Sequence, residues 1–306
     1  MENGETQTAG TSARVGDMHV APARSRQLQA DLSLLLVTAI WGTTFVLVKD
    51  VTHVLPPLTF IALRFSIGFA ALAVLFHRRL RRATRHEVLA GLLIAVFLYV
   101  GFLAQTLGLQ TTSASVTAFI TGLSTVIVPL AAFLLLRHRP STNALVGVGL
   151  ATAGLGLLTV KDDLSLSPGD LLVLACAFSF ALHIVLVGKY APKLDTVVLA
   201  VVQIGAVALA SWPLALVLEQ PTLVAPPQAW LNVAFLGVVA TGLVFYIQNV
   251  AQRFTSPTHT ALIFTMEPVF AAFFAYLWLG EVIAGRGLLG AALILAGMLV
   301  AELRQS

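Results

Sequence analysis

Shifted by 143 positions, the second half of this chain falls into register with the first without a gap. Thr112, Ser113, Thr117, Ala118 and Ile120 land on Thr255, Ser256, Thr260, Ala261 and Ile263. Val126, Ala132, Leu134 and Leu136 land on Val269, Ala275, Leu277 and Leu279, and Gly147 and Gly154 on Gly290 and Gly297. Upstream, Phe102 and Gln105 meet Phe245 and Gln248. Ala, Leu and Gly coincide easily in an apolar chain, so the polar pairs carry the weight. A duplicated apolar unit predicts two copies of one bundle built around a shared site.

Of 306 residues, 58% are hydrophobic and 10% charged, against roughly 25% charged in a soluble domain. Mean hydropathy is +0.91. That leaves too little polar surface to solvate a globule, so an integral membrane protein is expected, with the lipid bilayer as its constant partner. The isoelectric point near 9.6 raises the question of nucleic acid. The arginines, however, sit in short loops between apolar runs, where they act as topology signals, so no nucleic-acid partner is expected. Cys176 is the single cysteine and cannot form an intrachain disulfide. Residues 1–30 are polar and lack aromatics, which reads as a disordered cytoplasmic tail. A cleaved signal peptide would place its apolar core nearer Met1, so the tail is expected to remain attached.

A spanning helix needs about 20 mostly apolar residues. Such runs fall at 32–48, 58–76, 88–109, 115–136, 143–160, 170–187, 196–218, 229–251, 258–279 and 287–303. The expected fold is thus an all-α integral membrane protein with ten transmembrane helices. With the N-terminus inside, fourteen of the 18 Lys and Arg residues face the cytoplasm, led by Arg78, Arg79, Arg81, Arg82 and Arg85. Lys49, Lys161 and Arg286 face outward, and Arg64 lies within a span. Both termini are therefore expected to be cytoplasmic, in a cell (inner) membrane. Five spans per unit is an odd number, so the second copy must enter the bilayer from the opposite side. Two inverted five-helix repeats follow, over residues 31–160 and 169–304.

Three segments resemble the EamA-type branch of the drug/metabolite transporter superfamily. They are Trp41-Gly42-Thr43-Thr44-Phe45-Val46-Leu47-Val48-Lys49, Pro57 through Phe65, and Glu267-Pro268-Val269-Phe270-Ala271-Ala272 running into Leu279-Gly280-Glu281. The resemblance spans residues 32–303. It implies a ten-helix inverted-repeat carrier that commonly exports small metabolites such as amino acids, with a cavity lined by helices 1–4 and 6–9. One departure is that Leu136-Arg137-His138 stands where a first-half copy of Leu279-Gly280-Glu281 is due.

Glu267 is the sharpest candidate. A charged carboxylate near mid-span costs about 2.5–3.5 kcal/mol on insertion scales. It is expected to bind substrate or exchange protons, or else to hold helices together as a hydrogen-bonded acid. Pro268 follows it and should bend the helix. Thr260, Phe264, Glu267 and Ala271 share one helical face, and Thr117, Thr121, Ser124 and Val128 form its first-half copy. The copy is broken where Ser124 stands for Glu267.

Arg64 keeps its charge and needs a substrate carboxylate, a pairing with Glu267, helix carbonyls or the outer headgroups. His183 reads as a hydrogen-bonded core residue or a proton relay. Gln105 and Gln248 suit interhelical hydrogen bonds or orientation of a polar substrate. Trp41 and Tyr246 could wall a cavity. The Gly147/Gly154 and Gly290/Gly297 pairs mark close packing of the fifth and tenth helices.

The chain holds no His-Glu-x-x-His, Gly-x-Ser-x-Gly or P-loop motif and no Cys/His metal spacing, so no cofactor, metal site or enzymatic activity is expected. A secondary carrier working by alternating access on a small-molecule substrate fits best, with proton exchange at Glu267 or His183 or uncoupled facilitated export. The rival is an intramembrane lipid-modifying enzyme using Glu267 and His183 as acid and base, which requires the two within reach of each other or of one substrate. A homodimer is compatible with the sequence.

Overall fold

The computed structural model describes residues 24–136, 142–159, 167–221, 223–283 and 285–302, and no strand occurs among them. The first half contains α1 (Arg24–Thr52), α2 (Pro57–Leu75), α3 (His77–Leu80), α4 (Arg85–Gly108), α5 (Ala114–Gly122), α6 (Ser124–Leu136) and α7 (Thr142–Thr159). The second contains α8 (Pro168–Tyr190), α9 (Thr196–Leu218), α10 (Pro227–Gly237), a π-helical segment (Val238–Leu243) and α11 (Val244–Ala251). It ends with α12 (Pro257–Phe264), α13 (Glu267–Leu279) and α14 (Arg286–Glu302). Helix lies along each of the ten expected runs. Residues 24–30 correct the expected tail, because they form the first turns of α1 and Ala30 is buried. The rest of that tail lies outside the described residues, as do Arg137, Arg139 and Lys161.

Local sequence sets the helix starts. Glu87 N–H donates to Thr84 Oγ1 at 3.3 Å and Thr84 N–H to Glu87 Oε2 at 2.7 Å, a reciprocal cap that opens α4. Ser167 and Asp170 repeat the arrangement at α8, with both bonds at 3.1 Å. Pro57 and Pro227 occupy first-turn positions in α2 and α10, where a missing N–H is harmless.

The outer surface is rich in large apolar side chains, while several strongly polar ones are buried within an otherwise apolar interior. Val74, Leu75, Leu134, Leu209, Val217 and Trp278 are exposed, whereas Arg64, His183, Gln203, Gln248, Asn249 and Gln252 are buried. That arrangement suits a hydrocarbon solvent and would be ruinous in water. Among the described residues, seven stretches are long and apolar enough to cross a membrane: Ser25–Thr52, Pro57–Leu75, Arg85–Gly108, Ala114–Leu135, Pro168–Tyr190, Thr196–Leu218 and Pro227–Ala251. The chain is a multi-pass, all-helical membrane protein.

The packing repeats between halves. Helices α2 and α9, which correspond under the 143-residue shift, pack on each other, and so do α7 and α14. α4 packs on α8 and α9, while its counterpart, the α10–π–α11 rod, packs on α1 and α2. α8 packs on α5 and α6, and its counterpart α1 packs on α12 and α13. The expected glycine pairs meet across α7 and α14. A methyl at Gly154 would lie 2.5 Å from the Gly290 carbonyl, and one at Gly297 would lie 2.6 Å from that of Gly147.

Candidate functional site

Two helices break at the same place in the repeat. α5 gives way to α6 at Leu123, and α12 to α13 at Thr265 and Met266. At each break the turn tightens, with Leu123 N–H donating to the Ile120 carbonyl at 3.1 Å and Met266 N–H to that of Ile263 at 3.2 Å. The chemistry of the two breaks differs. In the second half Pro268 supplies no N–H. In the first, the Thr125 hydroxyl draws off the Gly122 carbonyl at 2.9 Å. Ser124 and Glu267 are thus the first residues of two new half-helices, and both line one cavity.

Trp41, Thr44 and Phe45 of α1, Arg64 of α2, and Phe102 and Gln105 of α4 supply one part of the cavity wall. Thr121, Phe180, His183, Ile184, Phe245, Gln248 and Phe264 supply much of the rest. The wall therefore interleaves aromatic rings with polar and charged side chains. The space unfilled by protein atoms is about 500 Å³, including its opening. α1 reaches this depth because residue 42 is glycine, where a methyl would stand 2.5 Å from Phe270 Cβ on α13.

The π-helical segment has no copy in α4. Its extra residue per turn disturbs the backbone ladder, and Trp41 Nε1 donates to the Ala240 carbonyl there at 3.2 Å. Arg64 Nε donates to the Thr241 hydroxyl of the same segment at 2.7 Å. The Arg64 guanidinium carbon stands 4.7 Å from the Phe102 ring centroid. Arg64 is 2% exposed, so it does not reach headgroups. Its expected ion pair with Glu267 is not made. Ion pairs among the described residues include Lys49–Glu281, Arg79–Asp195 and His259–Asp31.

Of the other expected residues, Trp41, Gln105, Ser124, Gln248, Glu267 and His183 gather at the cavity. Gln105 Nε2 donates to Thr121 Oγ1 at 3.2 Å, whereas Gln248 Nε2 turns to Gln252 Oε1 at 3.1 Å. His183 Nε2 lies 2.7 Å from Gln203 Oε1. It makes no described hydrogen bond or ion pair with Glu267, although both line the cavity. Thr117 does not reach the cavity, because its buried hydroxyl donates to the Ser113 carbonyl at 2.8 Å. Tyr246 is also elsewhere. It stacks on Phe76 at 5.2 Å and lines a separate groove with Arg26, Gln29, Ser33 and Phe254. Tyr246 follows Phe245 directly, and neighbours on a helix diverge by about 100°.

Sequence reasoning missed Thr241 and the role of Glu281. Gly237, just before the π turn, and Gly242, within it, face Gly68 of α2 and were the available signal. A methyl at Gly68 would lie 2.7 Å from the Gly237 carbonyl. Glu281, just beyond α13, caps α5 from the other half. It accepts from the N–H groups of Ala114 and Ser115 at 3.2 and 3.1 Å and from Ser115 Oγ at 2.9 Å, with Lys49 Nζ at 3.3 Å. Burial alone would raise its pKa, but the Ser115 and Ala114 amides, the Ser115 hydroxyl and Lys49 together hold it below the ordinary value. Glu219 likewise caps α2, accepting from Leu58 N–H at 2.9 Å and Thr59 N–H at 2.8 Å.

A polar cavity between two broken helices in an apolar, duplicated bundle defines a membrane transporter. The sequence matches the EamA-like transporter family twice, over residues 28–160 and 167–302. The chain belongs to that family. An uncharacterized transporter of Archaeoglobus fulgidus is 30% identical over 279 residues, covering 91% of this chain and 87% of that one. The uncharacterized transporter YoaV of Bacillus subtilis is 29% identical over 279 residues, covering 87% and 94%. A solved protein crystal structure superposes with a TM-score of 0.69 at 22% identity, over 92% of this chain and 98% of that one, which supports the fold.

Proposed function

We propose that this transporter is a secondary carrier of ten spans in two inverted five-helix units. It exports a small metabolite such as an amino acid by alternating access and exchanges protons at Glu267. The observation that carries the reading is the pair of matched helix breaks, which bring Ser124 and Glu267 to one cavity. Discontinuous helices are a recurrent way to place polar groups at mid-membrane. The self-paired contacts α2–α9 and α7–α14 are those expected on a pseudo-twofold axis lying in the membrane plane. In this orientation both termini are cytoplasmic, and the Lys49–Glu281–Ser115 junction closes the outer mouth. The two units rock about the cavity, opening one mouth as the other shuts.

The test is counterflow in proteoliposomes carrying the purified chain, run with labelled amino acids with and without a pH gradient. Movement of an intact solute that accelerates with the gradient supports the carrier. Product formation without movement would support the lipid-modifying alternative instead.

A further inference from the structure

Arg64 is a permanent cation inside the protein whose Nη2 has no hydrogen-bond partner among the described residues. Its Nε is used by Thr241 at 2.7 Å, and its face rests on the Phe102 ring at 4.7 Å. Nη2 is itself buried, and no described carboxylate lies within ion-pairing distance. The side chain is 2% exposed and lines the cavity. A guanidinium never sheds its charge, and leaving it unpaired away from water is unfavourable. Thr241 and Phe102 fix its plane, so its open edge is already oriented before any solute arrives. A planar fork held in this way matches a carboxylate. The Gln248 carbonyl oxygen on the same cavity also lacks a partner and can accept from a solute donor.

We infer that Arg64 takes the carboxylate of the transported solute, so that the cavity selects carboxylate-bearing solutes and rejects organic cations that lack one. This rests on the carrier reading above and narrows it. Discrimination comes from two sources. A carboxylate completes the hydrogen bonding of Nη2, whereas a simple amine leaves Nη2 bare and brings a second positive charge beside it. Thr241 acts as a positioning residue, since it touches Arg64 and has no carboxylate bond of its own to make.

The experiment uses the full chain in proteoliposomes and offers it the common amino acids and the amines formed by their decarboxylation. The expected result is that at least one amino acid moves, with about a tenfold or greater preference over its own amine. Arg64→Gln should abolish that preference, and Arg64→Lys should retain part of it. Thr241→Val should raise KM for the amino acid while leaving kcat nearly intact. Should Arg64→Gln fail to fold, Arg64→Lys, Thr241→Val and the wild-type selectivity carry the test. Equal movement of acids and amines, or movement of amines alone, overturns the assignment while leaving a carrier in place. Movement of neither class defeats the carrier reading for these solutes, and the Arg64 assignment with it. Repeating the measurement in chloride-free methanesulfonate separates the two sources of an anion. Unchanged transport supports a solute carboxylate, and a requirement for chloride overturns it.

Discussion

At the residue scale, two carboxylates divide the work. Glu267 sits on the cavity where the repeat's symmetry is broken, and Glu281 ties the end of one half to the start of a helix in the other. Glu267→Gln is expected to abolish pH-dependent transport while leaving insertion intact. Wild-type pH dependence in that variant, measured by counterflow, would end the proton role. Glu281 answers to pH in a different way. Its folded-state pKa lies below the ordinary value, so its stabilisation is present above the unfolded-state pKa of about 4.3 and is lost as pH falls through the folded value. Thermal unfolding in detergent should therefore show wild-type protein losing stability through that acidic window. Glu281→Ala should be less stable at neutral pH by about 0.5–2 kcal/mol, the usual cost of a lost helix cap. The two curves should converge at low pH.

At the element scale, the matched breaks were half legible. Pro268 announces the second and predicts its bend, and it falls in the right place. The first break carries no proline. It depends on a threonine hydroxyl competing for a carbonyl, a choice that many mid-helix threonines could make, so no pattern singles it out. The π-helical segment was invisible for a related reason. Its residues Val238–Leu243 are good spanning-helix residues, and only the approach of α2 at Gly68 shows why the rod widens there. Gly68→Leu should force α2 away from that segment and displace Arg64 from Thr241. Transport should fall more steeply than expression, as measured by uptake normalised to protein detected in the membrane. The helical face drawn through Thr117, Thr121 and Ser124 crosses the first break, and Thr117 does not line the cavity. A face continuous over two turns does not stay continuous across a break.

At the scale of the whole molecule, duplication and apolar runs announced an all-helical membrane protein with a twice-repeated unit, because both are long-range signals written over hundreds of residues. The cavity's membership was harder to read. It draws on side chains from both halves, and their meeting depends on packing angles that no periodicity encodes. Orientation remains testable with a single thiol. In a Cys176→Ser background, Arg81→Cys should resist an impermeant maleimide added to intact cells and react once the membrane is permeabilised. Reaction in intact cells would reverse the proposed topology and place both chain ends outside.

The crossing of Glu281 onto the first turn of α5 has a further mechanical meaning. Two backbone amides and a hydroxyl there have their needs met only while the other half stays close. In the alternating-access cycle proposed above, parting the halves there would bare all three at once, and only water could take the place of the carboxylate. Opening and wetting must therefore happen together. The rate at which this mouth yields should follow how readily bulk solvent can flood the crevice, and a lipid tail lodged there would act as a brake.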